Sequence, residues 1–394
     1  MRGHTPSVVP TDDGDERAEL RTLVRQIVAR EATPERIRAL DEAEDFDYDL
    51  YRALGEAGLI GLEADTEGTE RADPRSQVVV LEELGAGPTS MAVCLVVQYM
   101  GVHLLASHGS EAQRKQILGP LLEGRTRVAF AMTEPDGGTD VARVMRTKAA
   151  QRDDRSWVIN GVKTWISGAA TADHAIVVAR TAPPEPSAVD GITLFLVPLE
   201  ARGVEVHELP TMAIHGLDTC EVLLQDVTVD PGSVLGEVGR GFRQVLATLN
   251  GERLNAAAAA LGIARGAYEA GLDYARERQA FGRPVGAFQT LQHRMVDDAV
   301  QIEAARELVR KAARADALGE RADLLSAMAK LAASEAATRA VDNGMRVMAG
   351  AGLSREYAMQ RYFRDARLYT FAPLTDDMIR NYLGERLLGL PRSY

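Results

Sequence analysis

The chain of 394 residues is 46% hydrophobic and 26% charged, carries a formal net charge of -12 and holds two cysteines, Cys94 and Cys220. That length suits two or three domains with a sizeable core, and the composition excludes disordered, collagen-like and disulfide-dense chains. An acidic balance argues against a nucleic-acid partner, which requires clustered basic surface, and gives anionic membranes nothing to attract.

The opening "MRGHTPSVVPTDDGDERAEL" is polar and acidic, and no apolar stretch is expected to reach the ~18 residues of a membrane span. A cytoplasmic, soluble protein is expected. From about Asp15 to Gly124 the pattern is helical: Leu20, Leu23, Ile27 and Val28 fall on one face of a first helix, and amphipathic runs follow Tyr48 and Ser76. Between about Arg127 and Pro231 the period shifts to short β-rich runs, "RVAFAM", "SWVINGVKTWI", "HAIVVAR", "GITLFLVPL" and "EVLLQDVTV". Asn160-Gly161 reads as a hairpin turn, because Asn-Gly supplies the positive φ that tight turns need.

Long helices return from Phe242. Leu254, Ala258, Leu261, Ala264, Tyr268, Leu272 and Ala275 recur at spacings of three and four, as do Leu291, Met295, Ala299, Ile302, Ala305 and Val309 on the next helix; both stripes read as bundle core. Seven histidines lie scattered without metal-site spacing, so no metal is expected. The predicted fold is mainly α with a central β-domain, divided as 1–126, 127–237 and 238–394.

The chemistry-bearing stretches come next. In "FAMTEPDGGTDVARVMRTKA", Gly137 and Gly138 beside Thr133, Thr139 and Asp140 make a strand-end turn whose N–H groups and hydroxyls can meet an anion or a flavin edge; a plain polar loop has the same letters. In "NGVKTWISGAA", Trp165 and Ser167 fall on one face of a strand and suit an isoalloxazine ring, the alternative being a core tryptophan. In "ERQAFGRPVGAFQTLQ", Arg278 ends a helix that Pro284 does not allow to continue, and it either balances the helix dipole or clamps a pyrophosphate. No GxGxxG follows a strand, and "GEVGRGF" has the wrong spacing for a Rossmann nicotinamide site.

Taken in order, "TEPDGGTD", "KTWISGA", "ERLNAAAAALGIA", "RQAFGRPVGAFQ" and "RDARLYTFAPLTDDMIR" resemble the acyl-CoA dehydrogenase family over nearly the whole chain. The resemblance implies an N-terminal helical bundle, a middle β-barrel or sandwich and a C-terminal four-helix bundle in a homodimer or homotetramer that holds FAD across a subunit interface. It implies that Met132, Thr133, Gly138, Thr139, Trp165 and Ser167 line the flavin, with Arg278, Phe281, Gln289, Gly350 and Gly352 on the pyrophosphate and adenosine end of a neighbouring subunit's FAD. Thr375 and Asp377 are carried over as further cofactor contacts, and Thr139, Asn250 and Arg253 as substrate contacts. An acyl-CoA or acyl-carrier-protein substrate and an electron-transferring flavoprotein as electron acceptor are the implied partners.

One departure is sharp. The family's reaction removes a proton from the α-carbon of an acyl thioester while the β-hydride goes to the flavin, and in most members the glutamate of "YEGT" supplies both the base and an N–H for the thioester oxygen. Aligned on Arg364-Asp365-Ala366-Arg367 and Thr375, that position is Pro373, which has neither group. Losing the base costs roughly 10²–10⁴ in rate and losing an oxyanion donor roughly 10²–10³.

Glu252 is the expected replacement, because isovaleryl- and long-chain-type members carry their base at this helix position. Its alternative reading is an acid in a first helical turn capped by Asn250. Asp376 and Asp377 read as capping acids of the last helix, with Thr375 as N-cap, and as an alternative base pair. The expected reaction is α,β-desaturation. The alternatives are γ,δ-desaturation of a 2-enoyl thioester in a specialised, for example polyketide, pathway, a flavin monooxygenase of the same fold, and a structural partner subunit. Thr211 and His215 stand where the family has lysine and arginine near coenzyme A, which keeps the carrier protein open.

Overall fold

The computed structural model describes residues 14–64 and 73–392. By its internal contacts the chain divides into a unit of Met1–Ala39, Asp73–Ala92 and Asn250–Tyr394 and a second of Leu40–Ala72 and Val93–Leu249. The first is helical, and small residues decide how closely its helices pack. Asp73 caps the helix Pro74–Gly85 by accepting from the Arg75 N–H, with proline at the first position, where its missing N–H costs nothing. A Cβ on Gly85 would lie 2.3 Å from the Ala259 carbonyl oxygen, and one on Gly262 2.3 Å from that of Glu82, so the two backbones meet where only glycine fits. The long helix Gly241–Glu277 is alanine-rich along this stretch and buried on every side from Leu254 to Ala267. On the helix Gln289–Ala317, Met295, Ile302, Ala305 and Val309 are buried as their spacing predicts.

The first helix, Asp15–Glu31, buries Ile27 as expected and leaves Leu20 and Val28 half-buried, but its inward face also takes in Val24 and Arg21, while Leu23 is 40% exposed. Arg21 bonds to Glu83 and, at 3.2 Å, to Glu82. Arg265 and Arg306 reach the same pair of acids, at 2.8 Å to Glu83 and 3.3 Å to Glu82. Burial would raise the Glu82 carboxyl, but Arg21, Arg306 and Arg265 hold it at about 2. An apolar pattern cannot anticipate a helix face set by a buried ionic cluster.

A second expectation also changes. The helix Thr89–His108 reaches a mean hydropathy of 1.6 over 18 residues, long and apolar enough to cross a membrane by length and composition. Yet 78% of that stretch is buried within the protein, the pattern of a core helix. Its polar groups find protein partners: Tyr99 donates to the Leu59 carbonyl at 2.8 Å, and Gln98 both donates to the Val128 carbonyl and accepts from the Val128 N–H.

The second unit holds one eight-stranded sheet. Its strands are β1 (Val128–Ala131), β2 (Lys148–Gln151), β3 (Trp157–Ser167), β4 (His174–Arg180), β5 (Ile192–Pro198), β6 (Val204–Glu208), β7 (Thr219–Val229) and β8 (Val234–Leu235). The order is β6-β7-β3-β2-β4-β5-β8, with β1 parallel to β4. β4 and β5 are buried on both faces, which is why they read as continuous apolar runs rather than alternating ones.

Asn160-Gly161 makes no hairpin. Both residues lie inside β3, at a register shift against β7, where Asn160 donates to the Asp226 carboxylate at 3.1 Å and accepts from its N–H at 2.8 Å. The glycine serves close approach instead, since a Cβ there would fall 2.3 Å from Thr147 Oγ1.

Candidate functional site

The segment leaving β1 carries Met132 and Thr133, both half-buried, into a turn closed by mutual backbone bonds between Glu134 and Gly137 at 3.1–3.2 Å. Gly137 is packed beneath Val144, whose Cγ2 would lie 2.0 Å from an added Cβ, whereas Gly138 faces open space and Thr139 is exposed. The turn is therefore braced on one glycine and presents the other.

Trp165 is not a core residue: it is 63% exposed with φ of 59°, at the register irregularity between Lys163 and Ile166. Trp157 fills the core role, edge-on to Phe195 at 5.4 Å. A bulky side chain in the left-handed region costs on the order of 1–3 kcal/mol, a cost that persists where the surroundings enforce it and often marks a functional surface. Ser167 is half-buried and lines a small cavity with Cys94, Gln98 and Arg127.

Sequence reasoning passed over two charged residues here. Lys163 is fully buried, donating to Glu134 at 2.8 Å and to the Met132 carbonyl at 3.0 Å. Burial pushes its ammonium down to about 8 against the pull of Glu134, while Lys163 and the donors around Glu134 outweigh burial and hold that carboxyl below its ordinary range. A lysine in the middle of an apolar strand was the available signal, because an unpaired buried ammonium is prohibitive.

In the helical unit, Glu252 lies well inside the helix Gly241–Glu277, so Asn250 is not its cap and the first-turn explanation for the acid fails. The apolar stripe begins at Leu254, but the helix begins at Gly241, beside the Phe242 from which long helices are expected. Part of Glu252 remains accessible, yet burial dominates and pushes its carboxyl up to about 7, with the Arg253 guanidinium pulling the other way. Arg253 itself lies over the Tyr382 ring, 5.1 Å from its centroid.

Pro373 is exposed in the segment between the turn Leu368–Thr370 and the helix Asp376–Arg386. Thr375 caps that helix, as expected, by accepting from the Met378 N–H at 3.1 Å. Asp376 is engaged by the buried Lys330 at 2.7 Å and by Ser334 at 2.8 Å, and Lys330 also donates to the Leu374 carbonyl at 2.8 Å. Asp377 points outward toward Arg380. Neither acid has the setting of a general base: one is occupied holding the loop and the other is in solvent.

Arg278, Phe281 and Gln289 are exposed together around a short hairpin, Gln279–Ala280 against Arg283–Pro284. Phe281 is 94% exposed with φ of 53° and stands edge-on to Phe288, over which Arg283 lies at 4.4 Å. Gly350 faces open space, while Gly352 is buried against Met345.

Residues 14–125, 129–227 and 239–388 match, in that order, the acyl-CoA dehydrogenase N-terminal, middle and C-terminal domains. The chain is 34% identical over 380 residues to the probable acyl-CoA dehydrogenase YngJ of Bacillus subtilis, covering 95% of this chain and 98% of that protein. Among solved structures, a chain from work on the electron transferring flavoprotein of Acidaminococcus fermentans superposes with a TM-score of 0.89 at 30% identity, over 97% of this chain and 99% of that one. A glutaryl-CoA dehydrogenase from Mycobacterium smegmatis in complex with FADH2 gives 0.89 at 26%, over 97% and 96%. The fold and these matches define a flavoprotein oxidoreductase acting on CH–CH bonds, with FAD as its cofactor. The chain belongs to the acyl-CoA dehydrogenase family. Its surface fits that cofactor: a flat exposed indole at Trp165 and an open glycine at Gly138 leave room for a ring and its edge.

Proposed function

We propose that this protein desaturates an acyl-CoA at the α,β position with Glu252 as general base. The observation that carries the reading is a mid-helix glutamate whose carboxyl is pushed up to about 7, in a chain where Pro373 offers neither a carboxylate nor an N–H. A base titrating near neutrality combines a useful ionised fraction with enough basicity to take an α-proton. Arg253, held on Tyr382, tempers that basicity and sits beside the substrate with Asn250.

FAD supplies the hydride acceptor. Met132, Thr133, Gly138, Thr139, Trp165 and Ser167 orient its ring, and Arg278, Phe281, Gln289, Gly350 and Gly352 bind the far end of a neighbouring subunit's cofactor in a homodimer or homotetramer. The exposure of Arg278, Phe281 and Gln289 around one hairpin supports that assignment, because an exposed phenylalanine flanked by arginines suits a surface that becomes covered. Thr375 and Asp377 complete the cofactor contacts, and the domains divide at 126 and 237. Electrons leave to an electron-transferring flavoprotein.

Anaerobic mixing of FAD-loaded enzyme with saturated acyl-CoAs, followed by flavin absorbance and product mass, tests the reading. Wild type bleaches and yields a 2-enoyl product, and Glu252→Gln keeps its FAD but slows by roughly 10²–10⁴. An unchanged rate in Glu252→Gln removes it as the base. A dienoyl product from a 2-enoyl thioester, with no turnover of saturated chains, replaces α,β- by γ,δ-desaturation.

A further inference from the structure

We propose that Lys163 is the positioning residue of the flavin cradle: its buried ammonium ties the Met132–Glu134 segment to the strand that presents Trp165 and Ser167. The inference rests on the assignment of those residues to the flavin made above.

The geometry joins several pieces of chain at one charge. Lys163 donates to the Met132 carbonyl at 3.0 Å and to Glu134 at 2.8 Å. The Glu134 carboxylate accepts from the backbone N–H groups of Arg146 at 2.6 Å and Thr147 at 3.0 Å, at the entry to β2. One residue along, the Thr164 N–H donates to the Thr133 carbonyl at 3.0 Å. The register of β3 then breaks between Lys163 and Ile166, and Trp165 adopts its positive φ inside that break. Lys163 thus anchors the start of the irregularity that turns the indole outward, and it fixes the carbonyl of Met132 on the facing segment.

Stability alone is a poor reason for this arrangement. A buried ion pair is costly to desolvate, and apolar replacements of similar volume are often neutral or stabilising. A pair bonded to three separate backbone sites fixes geometry that an apolar core leaves loose.

The test compares wild type, Lys163→Met, Glu134→Gln and Trp165→Ala, each as apoprotein and reconstituted with FAD. Folding is read by circular dichroism, FAD affinity by titration, and the flavin environment by absorption bands and midpoint potential. The expected result is a folded Lys163→Met with FAD affinity lowered about tenfold or more, by analogy with outer-shell partners of bound groups, and with displaced flavin bands. If Trp165→Ala changes affinity and spectrum while a folded Lys163→Met leaves both at wild-type values, Lys163 is a structural residue and the proposal is overturned. If neither variant changes them, the cradle assignment itself fails and takes the proposal with it. Should Lys163→Met not fold, Glu134→Gln decides. It keeps the bond to Met132 but weakens the hold on Arg146 and Thr147, so a smaller loss of affinity supports the proposal and unchanged binding overturns it.

Discussion

Glu252 carries opposite consequences for catalysis and for stability, and both follow from one shift. Its folded pKa of about 7 lies above the ordinary value of 4.5. As a base it must be ionised, so the rate constant for flavin bleaching is expected to rise with pH and level off above about 7; a profile flat from pH 6 to 8 contradicts the assignment. As an acid with a raised pKa it binds more protons folded than unfolded between 4.5 and 7, so its contribution to stability is present below that window and is lost as pH rises through it. Glu252→Gln should therefore melt higher than wild type at pH 8, with the gap closing toward pH 4.5. Trp165 makes a similar point through the backbone: Trp165→Gly relieves the left-handed strain while deleting the indole, so the apoprotein should gain up to about 1 kcal/mol in denaturant titrations while FAD binding weakens.

At the scale of elements, the close crossing of Pro74–Gly85 over Gly241–Glu277 depends on bare backbones. Gly85→Ala places a methyl 2.3 Å from the Ala259 carbonyl, and neither partner is a side chain that can swing away. A loss of roughly 1–3 kcal/mol is expected, measured by urea unfolding, and an unperturbed midpoint would show that the helices can slide apart freely. The helix stripes beyond Leu254 and Leu291 were legible because apolar residues at spacings of three and four must face a core. The start of the long helix was legible at Phe242, one residue from where it begins, but the polar part of the first helix's inward face was not. Arg21 is drawn inward by Glu82 and Glu83, more than fifty positions away in sequence. The register shift at Gly161 is hidden for the same reason, since Thr147, just before β2, crowds that glycine.

For the whole molecule, the exposed Phe281 hairpin is where assembly and cofactor binding meet in the proposed reading. Phe281→Ser should leave the monomer's fold intact, because the ring is 94% exposed, and lower FAD affinity together with the oligomeric mass seen by light scattering. Unchanged affinity and mass would place the FAD end elsewhere. By itself the sequence determined the family, the helix-sheet-helix order and FAD, because ordered motifs and residue types survive in the letters. Only the tertiary structure decided that Trp165 is exposed, that Asp376 is occupied by Lys330 and Ser334, that Glu252 is a mid-helix acid shifted by burial, and that Lys163 is buried against the Met132 carbonyl and Glu134. Burial and hydrogen-bond partners are set by residues distant in the chain, and a linear sequence does not carry their distances.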